Sequence, residues 1–194
     1  MRATILLFII SALIVYGGLL FPQTLTIEEK IEINSSSSHV SEYLYDLPKW
    51  EKWLDWQAWE HTSDTKYTYS QFPKGVGAFM KFETLEGKRN NETAELYIQS
   101  ISRKELSEQD LQRLKYIANF RNYQTHVEGE FELEASSDKN SSSVLNFTLE
   151  VELGENPFVR YLAYLYYKPK IEKETMASLE RLKRLCETPI LCKK

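Results

Sequence analysis

The sequence predicts an α+β domain, built from an antiparallel sheet and one long C-terminal helix, that follows an apolar N-terminal helix. Three observations support this prediction. The stretch from Ala3 to Ile27 contains no charged residue. The middle of the chain alternates apolar and polar residues with a period of two, which is typical of a sheet with one buried and one solvated face. From Asn156 onward the period becomes helical.

Composition limits the class of protein. Without its first 21 residues the chain has 173 residues with 23 basic and 28 acidic side chains, a net charge of −5. That length suits one domain with a proper core. The acidic balance argues against a nucleic-acid partner, whose phosphates attract a basic face. The presence of only two cysteines excludes a disulfide-rich scaffold and a multi-cysteine zinc module.

The N-terminal segment is predicted to be a membrane anchor over residues 1–22. Ala3–Phe21 supplies 19 uncharged positions, close to the roughly 20 that cross a bilayer as a helix. A cleavable signal peptide has a shorter apolar core, roughly 7–15 residues. A passable cleavage site exists at Val15-Tyr16-Gly17, but apolar Leu19-Leu20-Phe21 continues beyond it. We therefore expect an uncleaved single-pass anchor.

The charges that flank this segment predict its orientation. Arg2 precedes the apolar run, and Glu28 and Glu29 follow it. The positive-inside rule places such an N-terminus in the cytoplasm and the remaining chain in the periplasm or outside the cell. In an oxidising compartment Cys186 and Cys192 could close a small disulfide loop over the end of the last helix. Two free thiols are an equally good interpretation, and a metal site is not predicted because no histidine lies near the pair.

The elements of the exported part follow from local patterns. Thr24–Ile33 is predicted to be a strand, and serines 35–38 cap a short helix that Pro48 ends. Five further strands are predicted at Gly77–Thr84, Thr93–Ser102, Leu114–Phe120, Val127–Glu134 and Leu145–Leu153. The last helix opens at Asn156-Pro157, is interrupted by Pro169 and ends before Pro189, leaving residues 189–194 as a tail.

Charged side chains on the solvated face of the sheet have a simple explanation. Glu128, Glu130, Glu132 and Glu134 alternate with apolar residues, and Arg113, Lys115 and Arg121 lie on the outward side of the strand before them. We expect cross-strand ion pairs rather than a cation site.

The order of these elements resembles the helix-grip fold, and more specifically the START-like (SRPBCC, Bet v 1-like) superfamily. That superfamily includes polyketide cyclase/dehydrase-like and lipid-transport-like proteins. The segments that carry the resemblance are Ile31–Ser36 with Val40 and Leu44, Trp50–Trp53, Gly75–Ala78 with Phe82, Asn156–Tyr161, Met176 and Leu179–Lys183. Ser107–Arg113 looks like an insertion before the next strand. The resemblance implies a single domain over residues 23–188, with a curved sheet around the C-terminal helix.

A sheet that grips a helix can enclose a cavity between the two. The predicted inward faces are aromatic and nearly uncharged, which suits a hydrophobic small molecule or a lipid. The candidate lining residues are Trp53, Trp56, Met80, Phe82, Tyr116, Ala118, Phe120, Phe131, Phe147, Leu149, Tyr161 and Leu165. The alternative is that the same side chains fill a core. No cofactor is predicted.

Three functions fit this sequence. The first is a membrane-tethered module that binds a hydrophobic small molecule or lipid without chemistry of its own. The second is a cyclase/dehydratase-type enzyme with a proton donor in the pocket, and the third is a non-catalytic interaction domain of the cell envelope. Binding ranks above catalysis because the inward faces offer only tyrosines as polar groups. His39, His61 and His126 lack metal-ligand spacing.

The first half of the last helix is rich in tyrosine, with lysines close behind. Tyr161, Tyr164, Tyr166 and Tyr167 precede Lys168 and Lys170. Such a mixture suits contact with a membrane interface. The alternative, which we favour from the sequence, is that Tyr161 and Leu165 face the sheet while the others cover a loop.

Overall fold

The computed structural model describes residues 2–54, 65–84, 93–105, 110–120, 125–135 and 142–188. In the first helix the described side chains are those of residues 4–6, 9, 12 and 15–20. The predictions made for Trp56, His61, Arg121 and Cys192 lie outside the described residues.

The elements within these ranges follow the predicted order. The helices are α1 (Arg2–Leu20), α2 (Ser37–Leu44), α3 (Leu47–Trp50), α4 (Pro157–Leu162) and α5 (Lys168–Glu187), with a π-helical turn at Ala163–Tyr167 between the last two. The strands are β1 (Thr24–Ile33), β2 (Thr65–Tyr69), β3 (Phe79–Thr84), β4 (Thr93–Glu105), β5 (Asp110–Phe120), β6 (Thr125–Ala135) and β7 (Ser143–Glu152). Across the described part of the chain, we find no helix that combines the length and apolarity needed to cross a membrane.

The strands form one antiparallel sheet in the order β1-β7-β6-β5-β4-β3-β2. One face is buried, as the alternation predicts: Val127, Phe131 and Leu133 point inward from β6. On the outer face Arg113 pairs with Glu130 at 2.5 Å and with Glu132 at 2.6 Å, which confirms the predicted cross-strand ion pairs. The helix α5 covers the inner face and buries Ile171, Leu179, Leu182 and Cys186.

Three sequence-based expectations need correction. Asp110–Arg113 belongs to β5 and pairs with the end of β4, so the proposed insertion before that strand is shorter than expected. The strand β2 was not predicted. Pro48 does not end a helix: it lies in the first turn of α3, where the missing N–H costs nothing because first-turn amides have no helical acceptor.

Pro169 interrupts the last helix in a specific way. It lies in the first turn of α5, directly after the π-helical turn. A π-helical turn pairs residues five apart instead of four. The helix therefore continues past the proline, but the angular position of its side chains around the helix axis is shifted. The side chains before this turn therefore face a different direction from the one that a continuous 3.6-residue period predicts.

Candidate functional site

A cavity of about 40 Å³ lies between α5 and the inner face of strands β5, β6 and β7. Its lining residues are Trp53, Leu54, Tyr116, Ala118, Phe120, Val127, Phe131, Phe147, Leu149, Glu174, Thr175, Ser178 and Leu179. One water needs roughly 10–15 Å³ of such a volume, whereas pockets for small molecules usually hold about 300–1,000 Å³. The aromatic interior is therefore mostly filled, with a residual cavity.

Four aromatic side chains of the lining pack with one another and with Trp50 behind them, in the edge-to-face and offset arrangements that aromatic rings prefer. The ring of Phe131 lies at the centre, 4.7 Å from Phe147, 5.9 Å from Trp53 and 5.7 Å from Tyr116. Trp50 meets Tyr116 edge-on at 5.3 Å and Trp53 at 5.4 Å. These contacts hold the ring of Tyr116 in one place on the wall.

A glycine in the middle of a strand makes room for that tyrosine. Gly129 lies directly opposite Tyr116 in the β5–β6 pair. A Cβ atom at position 129 would come within 2.0 Å of Tyr116 Cζ. The tyrosine ring thus covers the glycine backbone, an arrangement that compensates for the missing glycine side chain.

Two polar groups of the lining belong to Trp53, in the turn after α3, and to Tyr116, on β5. The indole Nε1 of Trp53 is buried, and none of the described residues accepts a hydrogen bond from it. By contrast, Trp50 Nε1 donates to the carbonyl oxygen of Leu44 at 2.9 Å. Complete burial raises the pKa of Tyr116 well above its ordinary value, so its hydroxyl stays neutral and can donate a hydrogen bond. A buried donor without a partner is uncommon in native structures.

The helix side of the cavity is more polar. Ser178 Oγ donates to the carbonyl oxygen of Glu174 at 2.9 Å and accepts from Arg181 Nη2 at 3.1 Å. Arg181 Nε donates to the carbonyl oxygen of Trp53 at 3.0 Å. This last bond ties α5 to the segment that carries Trp53. The carboxylate of Glu174 pairs with Lys170 Nζ at 3.9 Å.

The structure brings together part of the predicted lining. Trp53, Tyr116, Ala118, Phe120, Phe131, Phe147 and Leu149 all line this cavity. Met80 and Phe82 are buried in the core on β3 and do not belong to this lining, although the ring of Phe82 meets that of the lining residue Phe120 at 6.1 Å.

Tyr161 and Leu165 were expected to face the sheet, and this expectation is wrong. Leu165 is 56% exposed, and Tyr161 lies against Gly17 of α1. The prediction fails because the π-helical turn changes the phase of the helix at this point.

Sequence reasoning missed the helix side of the site. Thr175, Ser178 and Glu174 are polar, and a search for apolar periodicity selects Met176 and Leu179 instead. The signal that could have found them is position alone: Thr175 and Ser178 lie four and seven residues after Ile171, on the same helical face.

Other candidate groups are placed as follows. Ser36 caps α2 by accepting from His39 N, and His126 Nδ1 lies 2.9 Å from Asn119 Oδ1 on the outer face. Burial, with the nearby charge of Glu187, raises the pKa of the Cys186 thiol to about 12. Among the described residues no group of three metal-ligating side chains comes together.

Comparison with known proteins identifies the fold of this domain. No family model matches the chain, and no curated protein matches it. Among solved structures, hypothetical protein jhp0584 from Helicobacter pylori is similar with a TM-score of 0.59 at 12% identity, covering 84% of this chain and 88% of that one. A point mutant of norcoclaurine synthase from Thalictrum flavum, in complex with a transition-state analogue, has a TM-score of 0.55 at 14% identity, covering 84% and 94%. Protein CV1439 from Chromobacterium violaceum has a TM-score of 0.52 at 16% identity, covering 84% and 98%. These likenesses show the fold, an α+β helix-grip arrangement, as the order of elements predicts.

Proposed function

We propose that this domain binds an apolar small molecule, or one acyl chain of a lipid, in the cavity between the sheet and α5. The observation that carries the proposal is the buried indole N–H of Trp53, which has no acceptor among the described residues and belongs to a residue of the cavity wall. Leaving such a donor unpaired costs about 1–3 kcal/mol. A bound molecule with one hydrogen-bond acceptor would satisfy it.

The size of the cavity limits how such a molecule binds. At about 40 Å³ the closed cavity accepts only a small group. A longer ligand requires α5 to move away from the sheet. The bond from Arg181 Nε to the Trp53 carbonyl oxygen then has to lengthen or break, and we infer that ligand entry and α5 displacement occur together.

We further propose that α1 tethers the domain to a membrane, with the domain in the periplasm or outside the cell. The support is in the sequence: the 19 uncharged positions of Ala3–Phe21, with Arg2 before them and the acidic pair Glu28 and Glu29 after them. A helix of that length extends about 28 Å, which is close to the roughly 30 Å of hydrocarbon in a bilayer.

The test is native mass spectrometry of the full chain, released from its own host membranes in a mild detergent. We expect a co-purifying apolar species, or a mass shift when fatty acids of increasing chain length are added. Absence of both would refute binding. A soluble, membrane-free full chain in the same preparation would refute the tether without bearing on the cavity.

A pair of variants separates binding from stability. Ala118→Leu adds volume within the cavity, so we expect weaker fatty-acid binding together with an overpacking cost of about 1–3 kcal/mol. Ile33→Ala removes volume from the core outside the cavity lining, so stability should fall while binding by the folded protein persists. Equal loss of binding in both variants would contradict the assignment of this cavity.

A second candidate function is favoured by one observation, namely that the carboxyl-bearing Glu174 and the neutral hydroxyl of Tyr116 line the same cavity. A carboxylate and a neutral donor across an apolar cavity could move a proton in a dehydratase or cyclase reaction. In that case the ligand recovered from the wild-type protein would be a converted product. Glu174→Gln would then retain unconverted ligand.

A further inference from the structure

The segment that joins the sheet to α5 exposes an apolar face. Pro157–Tyr167 contains a single charged residue, Arg160, and that residue is buried. The exposed large side chains of this face, called here the α4 face, are Phe158, Val159, Leu162, Leu165, Tyr166 and Tyr167. Contiguous exposed apolar surface of this kind marks contact with a partner or a membrane.

The end of α1 packs directly against this segment. A Cβ atom at Gly18 would lie 1.8 Å from the carbonyl oxygen of Pro157, and one at Gly17 would lie 3.3 Å from the ring of Tyr161. Two adjacent glycines thus let the α1 backbone touch α4. Gly18 is two residues before Leu20, the last residue of α1, which is about 3 Å along the helix axis. The α4 face therefore lies level with the last turn of α1.

Polar contacts hold the junction between α1 and β1 in one geometry. Arg160 donates through Nη1 to the carbonyl oxygen of Phe21 at 3.2 Å and through Nη2 to that of Glu155 at 2.6 Å. The hydroxyl of Tyr164 donates to the carbonyl oxygen of Thr24 at 2.7 Å, and its ring stacks on Phe21 at 4.7 Å. The segment after α1 is thus a fixed joint rather than a loose linker.

Resting on the proposed tether, we propose that the α4 face lies in the interface of the same phospholipid bilayer that α1 crosses. A spanning α1 has its last turn at the outer boundary of the hydrocarbon region, and α4 is held at that level. The exposed Tyr16, Leu19 and Leu20 of α1 continue the apolar surface toward α4. Tyrosines are typical of the boundary between headgroups and acyl chains, and Tyr166 and Tyr167 are exposed on the face.

This position of the α4 face, called here its seating, also turns one end of the strands toward the bilayer. Leu25, next to the start of β1, pairs with Val151, and Val151 pairs with Val127. Val127 and Phe120, at the same end of their strands, line the cavity. A bilayer that contacts the α4 face therefore lies on the side of the domain where these lining residues are. An acyl chain would reach the cavity from that side over a short path.

The test is site-specific photocrosslinking of the full chain in phospholipid nanodiscs. A photoreactive benzoylphenylalanine replaces Leu165 on the α4 face, Tyr16 on α1 or Phe72 as a matched control. Phe72 is 76% exposed, but it lies in the loop whose Pro73 carbonyl accepts from Leu47 N, near α3. We expect phospholipid adducts by mass spectrometry at positions 165 and 16, at least tenfold above those at position 72.

The three positions distinguish the possible failures. Lipid adducts at position 16, with adducts at position 165 no more frequent than at position 72, would refute the contact of the α4 face with the bilayer but not the tether. A covalent dimer of this chain through position 165 would refute that contact as well, because the occupant would then be a second copy. Adducts at neither 16 nor 165 would refute the tether and the seating together.

Discussion

Substitution of Gly129 by alanine tests whether Tyr116 is placed by the glycine opposite it. The new methyl carbon would lie 2.0 Å from Tyr116 Cζ, and ordinary contact begins at 3.4 Å, so the ring must retreat by about 1.4 Å. Trp50 and Phe131 pack against two sides of that ring, which leaves the cavity as the open direction. Overpacking of a core costs about 1–3 kcal/mol, and removal of a mid-strand glycine returns about 0.5–1 kcal/mol. We expect a net loss of about 1–2 kcal/mol.

The assay is thermal unfolding of the full chain in detergent, followed by circular dichroism, in a double-mutant cycle with Tyr116→Ala. For a domain of this size about 1 kcal/mol corresponds to about 2–4 °C, so Gly129→Ala should lower Tm by several degrees. When Tyr116 is already alanine, the clash is absent and the same substitution should leave Tm unchanged or raise it slightly. An equal loss of Tm in both backgrounds would refute the reasoning, because the glycine would then be required by something other than the tyrosine ring.

Three further predictions concern separate parts of the molecule. Trp53→Phe removes an unpartnered N–H, whereas Trp50→Phe removes a hydrogen bond to the Leu44 carbonyl oxygen. Denaturant unfolding should therefore show the Trp50 variant to be about 1 kcal/mol less stable than the Trp53 variant. The reverse order would be evidence against the unpaired indole. The pKa of the Cys186 thiol is raised to about 12 from its ordinary value of 9.0. The unfolded chain therefore loses this proton first, and the free energy of unfolding should fall as pH rises from about 9 toward 12. Urea unfolding at several alkaline pH values should show a smaller fall for Cys186→Ala than for the wild type. An equal fall in both proteins would contradict the raised pKa. Arg113→Ala should cost less than about 1 kcal/mol because its ion pairs are exposed, and this loss should shrink in high salt; a loss that salt does not change would indicate packing instead.

The sheet was predictable because its pattern is local. The alternation in β6 and β7 fixes which side chains point inward, and the structure buries Phe131, Phe147 and Leu149 accordingly. The outward charges follow from the same rule, with Arg113 opposite Glu132. Such patterns need no knowledge of distant parts of the chain.

The remaining features depend on contacts that the sequence does not display. The π-helical turn changes the phase of the last helix, so Leu165 faces outward although its spacing suggested the sheet. The helix side of the cavity consists of polar residues such as Thr175 and Ser178, which hydropathy does not select. The role of Gly129 depends on a tyrosine in the neighbouring strand, and its own strand gives no indication of it.

Whether the space between the sheet and α5 is filled by side chains or can open into a larger cavity depends on how α5 is held on the sheet. Arg181 joins α5 to the Trp53 carbonyl oxygen and to Ser178, while Ile171 and Leu179 bury apolar surface against the sheet. The N-terminal end of the helix is joined through the π-helical turn to α4, which packs on α1. If α1 and the α4 face are fixed in a bilayer, displacement of α5 must occur by bending at the π-helical turn, a feature that is frequent at functional sites. The volume of the site, about 40 Å³ in this structure, would then depend on the position of α5.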